Sequence, residues 1–126
     1  MHRERPVNIN LSPARFHWPV TAMASILHRV TGAVLFVAIA LLLYVLQMAT
    51  ASEEGFAQAQ ALLGTTLPKL LLWGTLALVI YHLVAGIKHL LLDFHIGESF
   101  GGASAASWVV IVVSAVLVLF TGGWIW

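Results

Sequence analysis

Three long apolar runs constrain this chain more than any other feature. The stretches 30–48, 67–92 and 105–126 are almost unbroken in aliphatic and aromatic residues. Each is long enough to cross a hydrocarbon core of about 30 Å as a helix. With 60% hydrophobic and 9% charged residues and a mean hydropathy of +0.95, a water-soluble globule is excluded. The spacing of breakers predicts an all-α membrane protein of a single domain, 1–126. Its helices fall over about 21–50, 67–92 and 105–126, with Pro68 tolerated in the first turn of the second.

The connections are polar. Residues 1–20 carry Arg3, Arg5 and Arg15 and are interrupted by Pro6, Pro13 and Pro19, which reads as an extended cytoplasmic arm. No apolar segment with a small-residue cleavage site follows directly, so no secretory signal is expected. The stretch 51–66, with Glu53, Glu54, Gln58 and Gln60, reads as a loop, and 93–104, with Gly97, Gly101 and Gly102, as a turn. Arg3, Arg5, Arg15, Arg29 and Lys88 fall on one side of the spans and Lys69 on the other. The positive-inside rule then predicts a cytoplasmic N-terminus and an external C-terminus. Trp108, Trp124 and Trp126 flank the third span as interfacial aromatic anchors.

Two polar constellations interrupt the apolar pattern. The first is Tyr81-His82-Leu83-Val84-Ala85-Gly86-Ile87-Lys88-His89, followed by Asp93. A central charge in hydrocarbon costs about 2.5–3.5 kcal/mol, so these groups require partners. His82, Gly86, His89 and Asp93 share one helical face, and Gly86 leaves a gap beside the imidazoles for something flat. Such a face suits either an axial ligand to a haem iron or a polar stripe bonded to neighbouring helices. The second is Ser25-Ile26-Leu27-His28-Arg29-Val30-Thr31-Gly32, where Ser25, His28, Arg29 and Gly32 share a face. It reads as a patch for a polar, oxygen-bearing headgroup, or as a snorkelling arginine behind a capping serine.

A rise of 1.5 Å per residue puts His82 about 10 Å deeper than His89 and places His28 level with His89. That favours His82 as the iron ligand, sets His28, Arg29 and His89 near the haem propionates, and leaves the sixth ligand to a partner. Three helices enclose a buried cofactor poorly, so an obligate partner subunit is expected. The net charge of +1 gives no reason to expect nucleic acid. The chain has no cysteine, so it cannot ligate an iron–sulfur cluster itself.

Together with Arg5-Pro6-Val7, these motifs resemble the succinate dehydrogenase cytochrome b subunits, the larger membrane anchors of respiratory complex II. The resemblance covers nearly the whole chain. It implies a bacterial inner-membrane complex with a flavoprotein, an iron–sulfur protein and a second small anchor, the two anchors lying in the lipid bilayer. It further implies haem b ligated by His82, with the second anchor supplying the opposite histidine, and His28, Arg29 and His89 near the propionates. Ser25 and Arg29 would line the ubiquinone site. No complete catalytic site is implied in this chain alone. Three departures from the family pattern stand out: Lys88 where arginine is usual, His95 in place of a small residue, and an insertion around His17-Trp18.

The expected function is thus anchoring succinate oxidation to the membrane and forming part of the ubiquinone-reducing site. The alternatives are a quinol:fumarate reductase anchor, or a haem-free structural anchor in which the histidines only bridge helices. A transporter would show broken helices or an inverted repeat, and neither is present.

Overall fold

The computed structural model describes residues 18–126; the arm residues Arg3, Arg5 and Arg15 and the His17 departure lie outside the described residues. Four helices follow in order: α1 (Val20–Ala51), α2 (Glu53–Leu63), α3 (Thr66–Asp93) and α4 (Phe100–Ile125). Helices α1, α3 and α4 are long and apolar enough to cross a membrane. At 32 residues, α1 extends about 48 Å, more than the hydrocarbon thickness, and so tilts or projects beyond it.

The stretch 51–66, expected as a loop, holds a helix instead. Ser52 caps α2 by accepting from the Gly55 N–H at 2.9 Å, and Glu53 and Glu54 sit in the first turn, where carboxylates favour the helix dipole. Gly55 lets α2 fold back on α1, because a Cβ there would collide with the Met48 carbonyl. Helix α4 starts at Phe100, before the expected 105: Ser99 caps it by accepting from the Gly102 N–H at 3.1 Å, so the glycines become its first turn.

The spans α1, α3 and α4 alternate in direction: Tyr81 meets Ala24 while Leu72 faces a cavity with Leu42, and Trp73 meets Val118. Helix α3 packs against both others. Apart from Lys88 and Val110, the buried positions described on the long helices are small or hydroxylated: Ala24, Thr31, Ala85, Ser107, Ser114. Small residues let helix backbones approach, the main route to packing where lipid removes the hydrophobic drive. Large apolar side chains point outward instead, among them Phe36 at 81% exposure and Phe120 at 76%. Such a surface matches lipid or other subunits, not water.

The far end of α4 is clasped to α3. Trp73 donates its indole N–H to the Val118 carbonyl at 2.9 Å and lies over Gly122, where a Cβ would approach the ring to 3.2 Å. Trp126 meets Trp73 edge-on at 6.0 Å, with the Lys69 ammonium 5.9 Å from its ring.

Candidate functional site

The polar groups of α1 and α3 meet at the end where α1 begins. The ring of His28 stacks on that of His82, with centroids 4.1 Å apart and planes 14° from parallel. It also lies 5.0 Å from His89, tilted by 46°. His28 therefore fills the space between the two α3 imidazoles. The sequence reading set it level with His89 alone, and this is corrected. Depth counted along one helix says nothing of the axial offset between two. The gap at Gly86 is likewise filled from within the chain, since a Cβ there would lie 3.4 Å from His28 Nε2.

His82 is held by α1. Its Nδ1 lies 3.0 Å from the His28 carbonyl and 3.1 Å from Thr31 Oγ1. A carbonyl only accepts, so Nδ1 carries the proton and donates. The Thr31 hydroxyl donates to the same carbonyl at 2.9 Å and so is free to accept from His82. The ring fits only because residue 32 is glycine: a Cβ there would fall 2.8 Å from His82 Cε1. Tyr81 adds a further tie across the pair, donating to the Ala24 carbonyl at 3.0 Å.

This arrangement has a chemical consequence. With Nδ1 protonated and bonded, the lone pair of a neutral ring sits on Nε2, which makes no hydrogen bond among the described residues. Backbone bonding of one ring nitrogen is how proteins orient a metal-binding imidazole. The His28 stack covers a face of the ring, whereas a metal approaches the edge in the ring plane. The residues therefore fit an axial ligand to a haem. The stack leaves no room for a metal between His28 and His82, and among the described residues no trio of His, Asp or Glu forms a metal-binding group.

Ser25 and Arg29 lie on α1, flanking His28. Ser25 is half-buried and Arg29 exposed, and neither forms a hydrogen bond or ion pair among the described residues. Asp93, one turn beyond His89 at the end of α3, is exposed and makes no hydrogen bond or ion pair with the imidazoles among the described residues. Thr31, Gly32 and Tyr81 belong to the site although spacing alone gave them no role. The signal was a hydroxyl, on Thr31 or Tyr81, in an apolar segment that must find an acceptor.

The fold and the cluster define a multi-pass helical membrane protein whose polar chemistry is gathered at one end of the α1–α3 pair. Residues 1–121 match the family described as succinate dehydrogenase/fumarate reductase transmembrane subunit, and the chain belongs to it. It is 41% identical over 127 aligned positions, the full length of both chains, to the succinate dehydrogenase cytochrome b556 subunit of Coxiella burnetii. The protein of the same name from Paracoccus denitrificans is 33% identical, over 93% of this chain and 88% of its own. That of Rickettsia felis is 29% identical, over 94% and 91%.

Proposed function

We propose that this chain is the cytochrome b anchor of a succinate:ubiquinone oxidoreductase. In this reading it holds haem b together with a second small anchor and forms part of the ubiquinone-reducing site. The observation that carries the reading is His82, whose Nδ1 is bound to α1 while Nε2 stays open. His82 would be this chain's ligand to the haem iron, and His28, Arg29 and His89 would interact with its propionates. When bound, the haem supplies a one-electron redox centre at membrane depth.

This chain's own residues position the substrate and set its electrostatics. Ser25 Oγ donates a hydrogen bond to a quinone oxygen, and the fixed positive charge of Arg29 favours the negative charge that develops there on reduction. Succinate oxidation and the iron–sulfur relay lie on a flavoprotein and an iron–sulfur subunit; the absence of cysteine supports that division. The apolar outer surface supports a second anchor. The basic residues support a cytoplasmic N-terminus in a bacterial inner membrane. The names of the relatives favour succinate oxidation over fumarate reduction.

Two sets of variants of the assembled complex test this. His82→Leu should abolish or shift the reduced-minus-oxidised b-type band; an unchanged band with two unchanged axial bonds overturns the haem assignment. Ser25→Ala and Arg29→Leu should each lower quinone reduction by roughly 10-fold or more while succinate–dye activity persists. Normal quinone kinetics in both overturns the quinone assignment.

A further inference from the structure

Lys88 is a cation that the site above leaves unused. It lies one residue from His89, but on a different face of α3. The histidines face α1, whereas Lys88 lines a groove between α3 and α4. It is only 6% exposed and makes no hydrogen bond or ion pair among the described residues. Among the described residues, the carboxylates of that end do not neutralise it: Glu98 is bound to His95 at 2.6 Å, and Asp93 is exposed at the end of the helix.

The groove measures about 350 Å³ and is otherwise apolar, lined by Val84, Ile87, Leu91, Ile96, Val109 and Val110. The end of α3 builds its outer wall. The Ile96 N–H donates to the Leu91 carbonyl at 3.0 Å and the His95 N–H to the Leu92 carbonyl at 2.9 Å. These two bonds reverse the chain and bring Ile96 back beside Leu91. The turn needs a left-handed residue, supplied by His95 at φ 60°, so the departure noted in the sequence falls on the residue that shapes this wall. Lys88 lies five residues before Asp93, the last residue of α3, about 7.5 Å below the end of the helix, within reach of the headgroup layer for a lysine stem.

The ammonium of a buried lysine, with no carboxylate partner among the described residues and set beside an apolar slot, is complementary to an anionic amphiphile. We infer that Lys88 and the α3–α4 groove hold an anionic phospholipid from the adjoining leaflet, its phosphate on the lysine and an acyl chain along the slot. This site is separate from the haem and quinone assignments and does not depend on them. The bilayer supplies such a ligand at the depth where the lysine sits, and the slot is of small-ligand size.

The test uses the assembled complex in nanodiscs of phosphatidylcholine with graded phosphatidylglycerol, with retained lipid counted by native mass spectrometry. Wild type and Lys88→Arg should retain phosphatidylglycerol in preference to phosphatidylcholine. Lys88→Gln should bind it roughly tenfold more weakly, with phosphatidylcholine unaffected. Equal retention by Lys88→Gln overturns the inference. So does loss of a partner subunit from that variant in pure phosphatidylcholine, which would assign the lysine to a partner's carboxylate. If Lys88→Gln does not assemble, the wild-type complex decides. Phosphatidylglycerol with a photoreactive acyl chain should label residues 84–91 and 106–110, and labelling confined elsewhere overturns the inference.

Discussion

The two ends of the α1–α3 pair are built on different principles. Where α1 begins, Gly32 and Gly86 make room for the imidazoles facing them, and Ala24 and Ala85 are buried. Hydrogen bonds from Tyr81 and His82 cross between the helices there. Toward the other end, Ala38, Leu42 and Val45 of α1 and Leu71, Leu72 and Thr75 of α3 line a cavity of about 780 Å³ beside α2. No hydrogen bond links α1 to α3 there among the described residues. Leucines gain little by leaving lipid for each other. The pair therefore closes where small residues and hydrogen bonds hold it, and stays open where bulky aliphatic chains stand alone.

The largest test compares one added side chain at each end. Gly32→Val should push the His82 ring from its place and cost about 1–3 kcal/mol by overpacking. Ala38→Val, beside the cavity, should stay within about 0.5 kcal/mol. Thermal unfolding of the complex in mild detergent measures both, and equal losses would break the comparison.

A smaller effect sharpens what the closed end does. Thr31→Val keeps the side-chain shape but removes one acceptor from His82 Nδ1 and one donor to the His28 carbonyl. It should cost about 1 kcal/mol and shift the ¹⁵N resonances of the His82 ring. Unmoved resonances would mean that the carbonyl alone orients the imidazole.

The smallest effect lies at the end of α3. His95→Gly relieves a left-handed residue at φ 60° but loses the contact with Glu98. Since the pair is exposed and worth little, a net gain of roughly 0.5–1 kcal/mol is expected. A lower melting temperature would show that the His95–Glu98 contact outweighs the backbone relief.

Much of this fold was legible before any coordinates. The apolar runs give the three spans because hydropathy and length suffice for that decision. Helix α2 was also legible in principle, since Ser52 followed by Glu53 and Glu54 is a helix start and Phe56, Ala59 and Leu63 recur at helical spacing. Its polar residues concealed it inside what read as a loop. The start of α4 was hidden by Gly101 and Gly102, which are poor helix formers held in the first turn by the Ser99 cap.

The sequence alone determined three apolar spans, an uneven distribution of cations and two polar motifs placed on helices. Helical periodicity fixes which residues share a face, because it depends only on the geometry of a single helix. Only the tertiary structure decided that His28 lies between His82 and His89, that Thr31 and a backbone carbonyl hold His82 Nδ1, and that Lys88 faces α4. Those outcomes depend on how far one helix slides and turns against another, and that is set by contacts between residues distant in the chain.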